Sequence, residues 1–139
     1  TGDGFDTVVD FTTLQRAPDP DAAVANHASV LAPGGHLLVH VPAGAELFSE
    51  LDRCAGHLRR FSETDLRKLI EGAGLEVVEL RPFNRMGRRI WGLLGGADRS
   101  SIKAFEARLA DLATPILSRI DAQMSGPGLS LVAVGRKPG

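Results

Sequence analysis

Apolar positions along the chain change period several times, and each change marks an element. Phe5–Phe11 (FDTVVDF) is a short β-branched run between Gly4 and Thr12–Thr13, and it reads as a strand buried on both faces. PDPDAAVANHASVLAPGG reads as a helix: Asp19 is placed to cap it, Pro20 suits its first turn, and Val24, Ala28 and Leu31 share a face. Pro33-Gly34-Gly35 stops that helix. His36–Ala43 (HLLVHVPA) is a second buried strand, followed by a long loop from Gly44 to Phe61.

SETDLRKLIEGAGL is a second helix. Ser62 and Asp65 have capping-box spacing, Leu66, Leu69, Ile70 and Ala73 form its stripe, and Gly74 is the expected left-handed terminator. LEVVELRPF is a third strand, and NRMGRRIWGLLGGADR is a basic, glycine-rich stretch with an exposed-looking Trp91. SSIKAFEARLADLATPILSRIDAQ repeats apolar residues three or four apart, from Ile102 and Phe105 to Ile120, and Pro115 should kink it. GLSLVAVGRKP closes the chain as a strand after the turn Gly126-Pro127-Gly128. Strands alternating with helices predict an α/β fold with a mainly parallel sheet.

Composition changes this picture little. With 139 residues, 43% hydrophobic and 24% charged, the chain fits one ordinary globular domain. A net charge of −1 argues against a nucleic-acid partner. The charge is uneven: residues 1–50 carry one basic and seven acidic groups, residues 51–103 eleven basic and seven acidic. A single cysteine, Cys54, excludes an internal disulfide and a cysteine-rich metal site, and no metal spacing links His27, His36 and His40. No apolar run reaches membrane-span length, and residues 1–10 carry three Asp and no basic group, unlike a secretory leader. A reducing, cytoplasmic setting is expected. The opening TGDGFDTVVDF, with no Met and little lead-in before a strand, reads as a piece of something longer.

The loop LDRCAGHLRRFSETDL concentrates the candidate chemistry in Asp52, His57, Arg59 and Arg60. His57 suits a general base, or a hydrogen bond within the loop, for instance to Asp52. Arg59 and Arg60 suit a bidentate clamp on a phosphate or carboxylate of a substrate, or one of them pairs with Asp52 and fixes the loop. Adjacent side chains diverge, so each arginine can do one job. The loop then reads as a lid held closed by its own polar set. Arg81–Arg89 with Ile90, Trp91, Leu93 and Leu94 suits a membrane surface or an anionic lipid carrier, or simply a solvated cap.

Taken together, FDTVVDFTTLQRAPDPDAAVANHASVLAPGGHLLVHVPA resembles the second half of a class I S-adenosylmethionine-dependent methyltransferase, with Leu31-Ala32-Pro33-Gly34-Gly35 matching closely. Asp52, Gly56, His57, Arg59, Arg60 and Ser62 resemble the Gly-His-x-Arg-Arg-Tyr-Ser/Thr stretch of one bacterial branch, with Phe61 in place of Tyr. The resemblance covers Phe5 to Pro138. It implies the C-terminal half of a Rossmann-like methyltransferase sheet over residues 1–139, with residues 82–125 as a cap or insertion. It also implies strands in the order first, second, fourth, third, the last one antiparallel. S-adenosylmethionine is the implied cofactor, its methionine part and reacting methyl lying near Asp10, Phe11, Thr12 and Thr13 at the end of the first strand. A small, sugar-linked or lipid-linked acceptor and a fused glycosyltransferase are implied partners. The family's first strand, glycine-rich turn and ribose-holding acid have no counterpart here, and its usual Glu-His is Gln15-Arg16. The isolated chain is therefore expected to be inactive, with a non-catalytic half-domain that pairs through its bare edge as the alternative.

Overall fold

In a computed structural model of the protein, which describes residues 4–93 and 118–139, the chain forms a four-stranded sheet with two helices packed on one face. The elements in order are β1 (Phe5–Asp10), α1 (Pro20–Val30), β2 (Leu31–Pro42), a 3-10 turn (Ala45–Leu47), α2 (Glu50–Cys54), α3 (Glu63–Gly72), β3 (Glu76–Phe83), α4 (Arg85–Leu93) and β4 (Ser130–Arg136). The strand order is β1-β2-β4-β3, as expected. β1 pairs parallel with β2, and β4 pairs antiparallel with both β2 and β3, so only β4 runs against the others.

Local chemistry sets the helix ends. The Asp19 carboxyl accepts from Ala22 N at 3.0 Å and caps α1, with Pro20 in its first turn. Lys137 Nζ, far away in sequence, closes the other end by donating to the carbonyls of Ala28 and Leu31. Ser62 Oγ accepts from Asp65 N at 3.1 Å and caps α3, and Gly74 takes φ of 77° after it. The short Asp65 side chain bonds the Ser62 hydroxyl at 2.6 Å.

Alternation along the strands sorts the two faces. Leu37, Val39 and Val41 of β2 and Leu131 and Ala133 of β4 are buried against Val24 and Ala28 of α1 and Leu66, Leu69 and Ile70 of α3. α3 lies so close to β4 that a Cβ on Gly135 would stand 2.8 Å from Ile70 Cγ2. The other face carries Leu38 and His40, and among the described residues it has no comparable helical layer.

Four expectations need correction. The first helix ends at Val30, and Leu31 and Pro33-Gly34-Gly35 already belong to β2. β1 is not buried on both faces: Phe5 is 64% and Val9 53% exposed, because among the described residues β1 has one neighbouring strand and helices cover one face. The basic stretch after β3 is helical from Arg85 as α4, and Trp91 is half-buried rather than exposed. The 44–61 segment is not all loop; it holds the 3-10 turn and α2. Most of the amphipathic segment from Ser100, with Pro115, lies outside the described residues, and residues 118–121 are helical.

Candidate functional site

β1 and β2 run the same way, so the segments that follow them emerge at one edge of the sheet. In open α/β sheets, ligands bind beyond that carboxyl edge. After β1 the chain makes a tight turn in which the amides of Arg16 and Ala17 both donate to Thr13 O at 2.9 Å. Asp10, buried at the strand end, fixes this turn: one carboxyl oxygen accepts from Thr13 N at 2.9 Å, and the other lies 2.8 Å from His27 Nε2 on α1. Phe11, Thr12 and Thr13 stay exposed, whereas Leu14 and Gln15 are buried. No partner reaches the buried Gln15 Oε1 among the described residues.

Segment 44–61 leaves and returns at one point. Gly44 N donates to Phe61 O at 3.1 Å, Phe61 N donates to Pro42 O at 2.9 Å, and Ala43 bridges Phe61. Inside the closure Asp52 is the hub. It forms a capping box with Ser49: Ser49 N and Oγ donate to Oδ2 at 2.9 and 3.0 Å. Arg60 Nε donates to the same oxygen at 2.9 Å, while His57 Nδ1 meets Oδ1 at 3.0 Å. Arg60 also donates to Ala43 O at 3.2 Å and lies 5.8 Å from the centre of the Trp91 ring, and its side chain is only 6% exposed. Arg88 of α4 pairs with Glu46 and donates to Gly128 O at 3.2 Å, tying α4 to the same segment.

Burial pushes the Asp52 carboxyl up. The hydrogen bonds from Arg60 and His57, the Arg60 charge and the Ser49 amide outweigh it and hold Asp52 below the usual carboxylate range. The Arg88 hydrogen bond does the same, first among several causes, for the more exposed Glu46.

The two segments meet through one backbone bond: Leu58 N donates to Gln15 O at 2.7 Å. The structure therefore brings His57 beside the turn that follows β1. Arg59 points elsewhere than Arg60: it is only half-buried, and its guanidinium donates to Pro18 O at 3.2 Å. A pocket of about 300 Å³ is lined by Arg59, Arg60, Lys68, Asp21 and Asp65 among others. His40 lies at the same sheet edge, between the rings of Phe11 and Phe83, with Nε2 3.0 Å from Ser130 Oγ. Cys54 is exposed. Among the described residues no cluster of three or more His, Cys, Asp or Glu could hold a metal, and no helix is long and apolar enough to cross a membrane.

Sequence reasoning weighed His27 only as a metal ligand and Gln15 only as a departure from the family's Glu-His, and it did not single out Ser49. Ser49-Glu-Leu-Asp52 carries the capping-box spacing and could have signalled α2. No local pattern links Asp10 with His27, seventeen positions apart.

A family model described as a methyltransferase domain matches residues 1–80. Solved structures with the same fold include a Bacillus halodurans protein assigned to the methyltransferases, at 21% identity and TM-score 0.61, covering 100% of this chain and 67% of that one. N-methyltransferase NodS from Bradyrhizobium japonicum, in complex with S-adenosyl-L-homocysteine, has 22% identity and TM-score 0.50, with 100% and 49% covered. The [4+2]-cyclase SpnF has 21% identity and TM-score 0.56, with 98% and 52% covered, so the fold alone does not fix the reaction. This chain spans between about half and two thirds of the length of these structures. Comparison with curated protein sequences finds no match. The family match extends over more than half of the 139 residues, and the chain belongs to the methyltransferase domain family.

Proposed function

We propose that this chain is the C-terminal, acceptor-side half of an S-adenosylmethionine-dependent methyltransferase domain. The observation that carries this reading, beyond family membership, is the Leu58–Gln15 backbone bond, which seats the His57 segment against the turn after β1. Asp10, Phe11, Thr12 and Thr13 fit the reacting end of the cofactor: the last three are exposed at the edge, and Asp10 holds their turn. Among the described residues no strand is followed by a glycine-rich turn that would take the rest of the cofactor. When bound, the cofactor supplies an electrophilic methyl group. His57 then accepts the proton from the acceptor's hydroxyl or amine as that atom is methylated, and the chain otherwise acts by holding the acceptor in line. Arg59 faces an anionic group of the acceptor, and Arg60 keeps the segment closed.

The acceptor in this reading is small or carried on a sugar or lipid. The exposed Arg89 and Ile90 of α4 support contact with a membrane surface or an anionic lipid carrier. The setting is cytoplasmic, and a fused glycosyltransferase fits a sugar-linked acceptor. Isothermal titration of this chain alone with S-adenosylmethionine should show no micromolar binding, whereas the chain joined to a first half should bind. Micromolar binding by this chain alone overturns the half-domain reading.

One observation favours a second reading, a non-catalytic interaction module. Among the described residues β1 has a single strand partner, and Phe5 and Val9 along it and Phe11 just beyond are exposed, which leaves an edge able to pair. A stable dimer of this chain in sedimentation, with no cofactor binding in any longer form, would favour the module.

A further inference from the structure

We infer that Asp52 is a positioning residue: it fixes His57 as the Nδ1–H tautomer and presents a bare Nε2 lone pair at the carboxyl edge. The use of that lone pair rests on the methyltransferase reading, while the tautomer itself does not.

Both carboxyl oxygens of Asp52 are already spoken for. Oδ2 takes Ser49 N, Ser49 Oγ and Arg60 Nε, and Oδ1 faces His57 Nδ1. The carboxyl cannot rotate without breaking the capping box and the arginine bond together. Held as a carboxylate beside Arg60, Asp52 has no proton to offer and only accepts. The nitrogen 3.0 Å from Oδ1 must therefore carry the hydrogen. A neutral imidazole carries one N–H, so Nε2 is left with its lone pair.

The ring is also held from behind, since His57 N donates to Asp52 O at 2.8 Å. Its side chain keeps 19% exposure, enough for a ligand to reach it. Two other histidines show the opposite use of the ring. His27 spends Nε2 on Asp10, and His40 spends Nε2 on Ser130. Of these three, His57 alone is anchored through the inner nitrogen, with no partner on Nε2 among the described residues.

The proton balance follows. As the acceptor atom is methylated, its O–H or N–H bond breaks and an N–H bond forms at His57 Nε2. The ring becomes an imidazolium held against the Asp52 carboxylate, and the positive Arg60 disfavours passage of the Nδ1 proton onto Asp52. The proton then leaves to water from Nε2. Arg60 thus acts on His57 through Asp52, and Trp91 and Ala43 O hold Arg60 in place.

The test is long-range ¹H–¹⁵N correlation NMR of the chain labelled at histidine, recorded as a pH series and read in the neutral form of the ring. The expected spectrum shows His57 with a protonated Nδ1 and an unprotonated Nε2. In Asp52→Asn the side-chain oxygen stays with Arg60 and Ser49, the amide NH₂ turns to His57, and the tautomer should invert to Nε2–H. Ser49→Ala should keep the native tautomer. A wild-type His57 found as Nε2–H, or as a mixture, overturns the inference, and this result needs no variant to fold. Carbethoxylation by diethylpyrocarbonate, mapped by mass spectrometry, gives a second readout: His57 should react several-fold faster than His27 and His40, and equal rates count against the open Nε2. A native tautomer together with unchanged methyl transfer in His57→Ala would leave the inference standing and remove the base role instead.

Discussion

Two buried aspartates each hold a histidine, and the two pairs differ in almost every other respect. Asp10 ends β1 and binds His27 through the outer ring nitrogen, with its second oxygen on the Thr13 amide. One bond of that pair ties sheet to helix, and the other fixes the turn after β1. Asp52 binds His57 through the inner nitrogen and adds Arg60 and the Ser49 cap to the other oxygen. One pair is a fastener between β1 and α1. The other is built so that one ring nitrogen remains open, and an arginine is committed to keeping its aspartate charged. The difference shows that an Asp–His contact has no fixed meaning; the ring nitrogen used, and what neutralises the carboxylate, decide what it can do.

The contrast is sharpest in stability. Asp52→Ala strands the Arg60 guanidinium, buried and unpaired, and should cost roughly 3 kcal/mol or more. Asp10→Ala loses one backbone and one imidazole partner and should cost about 1–3 kcal/mol. Chemical denaturation of both variants checks the order, and a larger loss in Asp10→Ala would break the contrast.

Acid should act on the Asp52 pair next. Asp52 is held below the ordinary carboxylate range, so its folded-state pKa lies under the unfolded value of about 3.9. Its contribution is present above that unfolded value and is lost as pH falls through the folded one. Melting temperatures of wild type and Asp52→Asn should therefore converge as pH falls below about 4. A gap that stays constant into strong acid would mean the charge of Asp52 is irrelevant.

The two arginines should behave differently in catalysis. Arg59→Ala should raise the apparent Michaelis constant with little change in melting, because it removes binding shared by ground and transition states. Arg60→Ala should lower the melting temperature, because it leaves Asp52 buried without its cation. At the small end, Arg53→Ala breaks an exposed pair with Glu50 and should change stability by only about 0–1 kcal/mol. A loss as large as that of Asp52→Ala would put the hub of α2 in the wrong place.

Legibility in the sequence followed the range of the forces involved. Helix caps at Asp19 and Ser62, the terminator Gly74 and the apolar stripe of α3 act within a few residues, and they were readable. The strand order came with the family resemblance, since pairing of β4 between β2 and β3 leaves no local trace. β1 looked like a core strand because Val8 and Val9 are β-branched; which face is covered depends on layers that β1's own residues do not encode. α4 was hidden by its glycines, Gly87 and Gly92, which carry weak helix signals. Within the site, the identity of the arginine paired to Asp52 could not be read. Arg59 and Arg60 are neighbours of the same chemistry, and only the return of the chain at Phe61 points Arg60 inward.

The central claim is that segment 44–61 exists to place a base at the sheet edge, and the turnover of His57→Ala set beside His27→Ala tests it most directly. The assay is release of S-adenosyl-L-homocysteine by the chain joined to a cofactor-binding first half, with the acceptor that gives the highest wild-type rate. His57→Ala should lose roughly a hundredfold or more in turnover, while His27→Ala keeps a rate near that of wild type wherever it remains folded. Equal turnover in His57→Ala and wild type would contradict the account and leave the segment as scaffolding alone.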